Sequence, residues 1–170
     1  MRFEVHLTLE DGFDDAVVPK CARIELSSGR FPSQRMLTVH VRDEPLGSAR
    51  ALARQYPVRR IKIEAPLSAL GGLYIEHHVK VLAQDLVALR ELAAEHGAHM
   101  SRNPRRILDG GWEERYLTRR FGSGDVLAEA RELERLRESL TQQGFEIAKI
   151  EREKVLFDDN LSLDAGWSAP

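Results

Sequence analysis

At 170 residues, with 42% hydrophobic and 31% charged side chains, the chain has the composition of a folded globular protein and not of a disordered one. Its formal charge of −2 gives no general attraction to nucleic acid or to an anionic membrane. Cys21 is the only cysteine, which excludes an internal disulfide and a cysteine-built zinc cluster and fits a reducing compartment.

The N-terminus enters a strand directly, without the apolar core of a signal peptide, and no stretch reaches the length of a membrane span, so a cytoplasmic protein is expected. From Phe3 to Leu9 apolar and polar residues alternate. Val5, Leu7 and Leu9 share one face, while Glu4, His6 and Thr8 share the other. Residues 11–20 read as a short helix with Pro19 near its end. Ala22, Ile24 and Leu26 alternate with Arg23 and Glu25 as a second strand, broken by Ser27-Ser28-Gly29.

Leu37, Val39 and Val41 mark a third strand, whose other face carries Met36, Thr38 and His40. The alanine-rich run Gly47 to Tyr56 has no β-branched residue and precedes Pro57, the pattern of a helix and its stop. A fourth strand comes next, with Ile61 and Ile63 inward and Arg60, Lys62 and Glu64 outward. Pro66 to Gly72 connects it to the second half of the chain.

The order then returns. Ile75-Glu76-His77-His78-Val79-Lys80-Val81 matches Phe3 to Leu9 class for class, Arg115-Tyr116-Leu117-Thr118 matches Arg35-Met36-Leu37-Thr38, and Lys149-Ile150-Glu151 matches Lys62-Ile63-Glu64. The offsets, 78 − 6 = 72, 118 − 38 = 80 and 149 − 62 = 87, grow along the chain, as a second copy with longer helices and turns requires. Leu82, Leu86, Leu89 and Ala93 predict a helix ending at Gly97. A strand from Ala98 to Asn103, a turn at Asp109-Gly110-Gly111 and a strand through Leu117 to Phe121 come after it. Val126, Ala130, Leu133, Leu136 and Leu140 stripe a helix over 125–143, and the last strand runs from Phe145 to about Leu156.

Two successive β-α-β-β-α-β units predict an α+β fold of duplicated ferredoxin-like repeats, 1–66 and 73–157, in one pseudo-symmetric domain. Their antiparallel sheets would present polar open faces that form a cleft or barrel. A tail, 158–170, would lie over the body through Leu161, Leu163 and Trp167. In each unit the first strand lies between the third and fourth. His6, Thr38 and Glu64 then become neighbours, as do His78, Thr118 and Glu151.

Three chemistries are compatible with these faces. In one, His6, Glu64, His78 and Glu151, with Glu4 and Glu76 beside them, hold a divalent ion such as magnesium, manganese or zinc. In another, the metal acts on a phosphate-bearing ligand neutralised by Lys62, Lys80, Lys149 and Arg120 and contacted by Thr38 and Thr118. Glu76-x-His78-x-Lys80 resembles the Glu-x-Glu-x-Lys strand of the CYTH, or triphosphate-tunnel, family, with His78 in place of a carboxylate. That resemblance implies a charge-lined antiparallel β-barrel that hydrolyses or cyclises triphosphates with a divalent metal. In the third, His6 and His78 act as general acid and base. His6-Leu7-Thr8-Leu9 resembles the His-x-Thr motif of 2H phosphoesterases, whose second copy here, His78-Val79-Lys80-Val81, carries Lys80 in place of the hydroxyl.

The expected function is therefore the binding or hydrolysis of a small phosphate-bearing ligand, with a non-catalytic ligand- or protein-binding module and a His2Glu2 metal enzyme as alternatives. A small anion is the expected partner of a monomer or homodimer. Nucleic acid is disfavoured, because Tyr116 is the only clear candidate for base stacking on the open faces. His77, in opposite phase to His78, reads as a core histidine, and Asp158-x-Asn160-x-Ser162-x-Asp164 lacks the glycine of a calcium loop.

Overall fold

A computed structural model describes residues 1–10, 21–106 and 108–166. The helix expected over 11–20 and the contact expected from Trp167 lie outside the described residues. Strands β1 (Phe3–Leu9), β2 (Cys21–Leu26), β3 (Ser33–Val41), β4 (Val58–Pro66), β5 (Tyr74–Ala83), β6 (His99–Arg102), β7 (Glu113–Gly122) and β8 (Glu146–Asp158) alternate with helices α1 (Pro45–Ala53), α2 (Leu86–Glu95) and α3 (Val126–Gln142). The strands close into an antiparallel barrel in the order β1-β3-β2-β6-β7-β5-β8-β4. The architecture is thus α+β with an antiparallel, closed sheet, and closure removes the free edges on which strands of two molecules could pair.

β1 lies between β3 and β4, and β5 lies between β7 and β8. The two groups of four strands meet at two seams. At β2–β6 only Glu25 and Leu26 find partners, Arg102 and Ser101, whereas β4–β8 runs from Lys62↔Asp158 to Pro66↔Glu153 with one register shift. The thirteen residues of β8 carry it past Leu156, its expected end, and let it pair with both β4 and β5.

The apolar faces point outward, beneath the helices. Val5, Leu7, Leu37 and Ile63 are buried in a cluster with Ala49 of α1. Val79 and Leu117 are buried with Leu89 and Leu92 of α2 and Leu133, Leu136 and Leu140 of α3, and Ile150 packs partly buried against them. Leu140, fully buried, is expected to cost about 2–5 kcal/mol on replacement by alanine in urea denaturation, because the cavity adds to the lost transfer energy. Leu127, 76% exposed on the same helix, should change stability by no more than about 0.5 kcal/mol. Equal losses at both positions would contradict this packing.

Local signals account for the boundaries. Pro45 opens α1 ahead of the expected Gly47, since the first helical position needs no N–H donor, and α1 ends at Ala53 before reaching Tyr56. Asp85 caps α2 by accepting from the backbone N–H groups of Val87 and Ala88 at 3.1 and 3.0 Å. Leu82, expected on that helix, instead extends β5, where it faces Glu114. His77 points outward as expected: its Nδ1 lies 3.0 Å from Glu129 Oε1 of α3, and Arg152 also donates to Glu129. No helix among the described residues is long and apolar enough to cross a membrane.

Candidate functional site

Because Val5, Leu7 and Leu9 pack outside, period two turns Glu4, His6 and Thr8 into the barrel, and the same phase turns in Glu76 and His78. They line an interior cavity of about 300 Å³. In both halves a threonine on the neighbouring strand holds the histidine: Nδ1 is 2.8 Å from Oγ1 in His6–Thr38 and in His78–Thr118. Thr38 stands opposite His6, and Thr118 opposite His78, so the pairs come from register alone. Each Nε2 is left to face carboxylates.

His6 Nε2 is 2.5 Å from Glu64 Oε2, and Glu64 Oε1 is 2.6 Å from Lys62 Nζ. Lys62 reaches onward to Glu76 Oε2 at 2.5 Å, joining the two halves. His78 Nε2 lies 3.7 Å from both Glu76 Oε2 and Glu153 Oε2. Two sets of side chains offer ligand atoms all within 4.8 Å of one another: Glu4, His6 and Glu64, and Glu64, His78 and Glu153. Glu64 belongs to both.

Glu153 is the residue that sequence matching passes over. On β4, Glu64 stands opposite Glu4 and Lys62 opposite His6; on β8, Glu153 stands opposite Glu76 and Glu151 opposite His78. The partner of Glu64 by register is therefore Glu153, at an offset of 153 − 64 = 89, two residues beyond the Lys-Ile-Glu match. A shift of two keeps every side chain on its face, so alternation could not reveal it. The run Lys149, Glu151, Glu153 on one face was the available signal.

The other expected ligands have different neighbours. Glu151 lines the cavity but pairs with Lys149 Nζ at 2.5 Å, and Lys149 is 56% exposed. Glu76 accepts from Arg120 Nε and Nη2 at 3.0 and 2.8 Å as well as from Lys62. Lys80 lies 3.3 Å from Glu114 Oε2 and over the Tyr116 ring. Of the carboxylates at the cavity, Glu4 and Glu153 have only histidines within salt-bridge distance among the described residues.

Burial alone would raise Glu64, but Lys62 and His6 outweigh it and hold the carboxyl well below its ordinary range. Burial would raise Glu76 too, yet Lys62, His78 and Arg120 together hold it at about 2. Glu153 is pushed up to about 9, first by burial and then by Glu64, Glu4 and Glu151. His78 is lowered, mainly by burial, against the pull of Glu76 and Glu64.

These shifts give the metal-free protein a pH dependence. Glu153 binds its proton more tightly folded than unfolded, so its contribution is greatest in acid and declines as pH rises from about 4.5 to about 9. Glu76 acts oppositely, its contribution being lost as pH falls from about 4.5 towards about 2. Glu153→Gln is expected to melt at a higher temperature than the parent at pH 8 and to lose most of the decline toward alkaline pH. An unchanged melting profile across that range would contradict the crowding of carboxylates around Glu153.

The tail packs on the barrel next to this cluster. Leu161–Asp164 forms a 3-10 turn that buries Leu163 and Asp164. Asp164 accepts from Arg60 at 2.7 and 2.8 Å and from Arg120 at 2.6 Å. Arg60 also donates to Asp158, as does the Tyr74 hydroxyl. Sequence reading left this network out, although Arg60 shares its strand face with Lys62 and Glu64.

No protein-family profile matches the sequence, and no curated protein matches it. One solved structure, described as a "putative glycine cleavage system transcriptional repressor", is similar over 90% of this chain and 97% of its own at 12% identity and a TM-score of 0.37. A likeness of that extent carries no argument about architecture or activity.

Proposed function

We propose that the protein binds a divalent cation inside the barrel, through His6, His78, Glu4, Glu64 and Glu153, and that the ion holds a small anionic ligand for binding or hydrolysis. The observation that supports this is the pair of histidine–carboxylate sets joined at Glu64, all of whose residues line one cavity inside the barrel. Two imidazoles with carboxylates suit zinc or manganese, and magnesium less, because magnesium favours an all-oxygen shell. The threonines fix both rings through Nδ1, as outer hydrogen bonds do for metal-binding histidines. A bound ion in such a cavity would supply Lewis acidity or an activated water.

The paired His–Thr contacts, and the strand orders β4-β1-β3-β2 and β8-β5-β7-β6, support duplication of a ferredoxin-like unit as the origin of the barrel. A second reading, a phosphate-bearing ligand, draws on Glu76-x-His78-x-Lys80 lying in a closed antiparallel barrel. Against it, Arg60, Lys62, Lys80 and Arg120 already hold carboxylates, so phosphate would have to meet the metal rather than a free cationic patch.

Calorimetric titration of the chelator-stripped chain with zinc, manganese and magnesium tests the proposal. Saturable uptake of zinc or manganese is expected. Absence of heat and of thermal stabilisation with all three ions would leave a metal-free binding module as the better account.

A further inference from the structure

The cavity has two unlike walls. Counting round the barrel order, β4 and β8 lie opposite β6 and β2, four strands away on either path. The histidines and carboxylates stand on β1, β4, β8 and β5, around the β4–β8 seam. Across from them, Ala22, Ile24 and Leu26 of β2 line the cavity, continued by Met36 of β3 and flanked by Ser101 of β6. Met36 is the register partner of Ala22, Gln34 that of Ile24 and Ser101 that of Leu26, so these side chains form one uncharged patch on the inner surface, whose apolar part is Ala22, Ile24, Leu26 and Met36.

An eight-stranded barrel is wide enough either to be filled by its own side chains or to hold one small ligand, and this interior leaves room. A site for a polyphosphate would carry cations round its circumference, whereas these wall residues are uncharged and the cations opposite are paired. The cavity lies at the small end of the range for organic ligands, roughly 300–1,000 Å³.

We infer that the ligand is a small amphiphile: an oxygen-donor head, such as a carboxylate or hydroxamate, directed at the metal pole, and an apolar body of several carbons seated on Ala22, Ile24, Leu26 and Met36. This rests on the metal reading above and specifies the class of molecule that completes it. Apolar burial then sets affinity. Each methylene seated on the wall multiplies binding by about fourfold, until the cavity is filled.

Alkyl hydroxamates are suitable probes because the head binds zinc or manganese and the chain can be varied alone. With the metal-loaded protein, octanohydroxamate is expected to bind at least roughly tenfold more tightly than acetohydroxamate, and tripolyphosphate no more tightly than acetohydroxamate. Ile24→Ser and Met36→Ser should reduce the preference for the longer chain while each variant retains a cooperative thermal melt. Equal affinity for the two hydroxamates on a chain that has taken up metal, or tighter binding of tripolyphosphate than of octanohydroxamate, overturns the inference and leaves the metal site standing. Failure of metal uptake is seen earlier, in the titration without probes, and removes both.

Discussion

Arg60→Met is expected to destabilise the protein by about 3–5 kcal/mol, the usual cost of leaving a buried charge without its partner. Arg60 is 5% exposed and donates to Asp164 through both terminal nitrogens and to Asp158 through Nε at 2.9 Å. Methionine would fill much of the same volume, but Asp158 and Asp164 would remain buried with one fewer cation between them. Arg60→Lys should recover little, because an ammonium cannot present the planar fork that spans two carboxylates. Adding Asp158→Asn and Asp164→Asn to Arg60→Met should restore a good part of the loss by removing the stranded charges. Urea denaturation measures all three. A loss below about 1 kcal/mol for Arg60→Met would show that water reaches these carboxylates and screens them.

Glu64→Gln is expected to have the largest effect on metal uptake. Its carboxylate belongs to both ligand sets, and glutamine keeps its shape while removing the charge and one strong donor oxygen. Affinity for zinc or manganese should fall by roughly 100-fold or more, at or beyond the upper end of what loss of a single outer hydrogen bond causes. Glu151→Gln offers the contrast, since Glu151 is tied to Lys149 near solvent and should alter affinity by no more than about threefold. Glu153→Gln should resemble Glu64→Gln in direction. If Glu151→Gln proves the more damaging, the ion is held at the register position opposite His78 and not by the carboxylates identified from distance.

These contrasts depend on two-residue differences that alternation does not resolve. Glu151 and Glu153 lie on the same strand face, and so do Lys62 and Glu64; local sequence assigns the face and leaves the position along it open. Cross-strand pairing with β5 and β1 fixes it, through registers that run unbroken from Glu76↔Glu153 to Lys80↔Lys149 and from Glu4↔Glu64 to Thr8↔Arg60. The same holds for the cations. Lys62, Lys80 and Arg120 read as free charges for a ligand along the chain, yet Lys80 and Arg120 find carboxylates across the β5–β7 pairing, and Lys62 finds Glu76 of the other half once the barrel closes.

What the sequence by itself determined is the eight strands and three helices of the described residues and the alternation of faces along each strand. Those depend on period two, period 3.6 and caps, interactions that span a few residues. His6, Thr38, His78 and Thr118 were legible as neighbours because β1 and β5 run centrally in their halves and their register is unbroken there. Only the tertiary structure decided that the open faces close on one another, that Ala22, Ile24 and Leu26 look across the cavity at the histidines, and that Asp164 ties the tail to the barrel through Arg60 and Arg120. Such arrangements join residues separated by up to 104 positions and arise from the β2–β6 and β4–β8 seams, whose pairing no local pattern encodes.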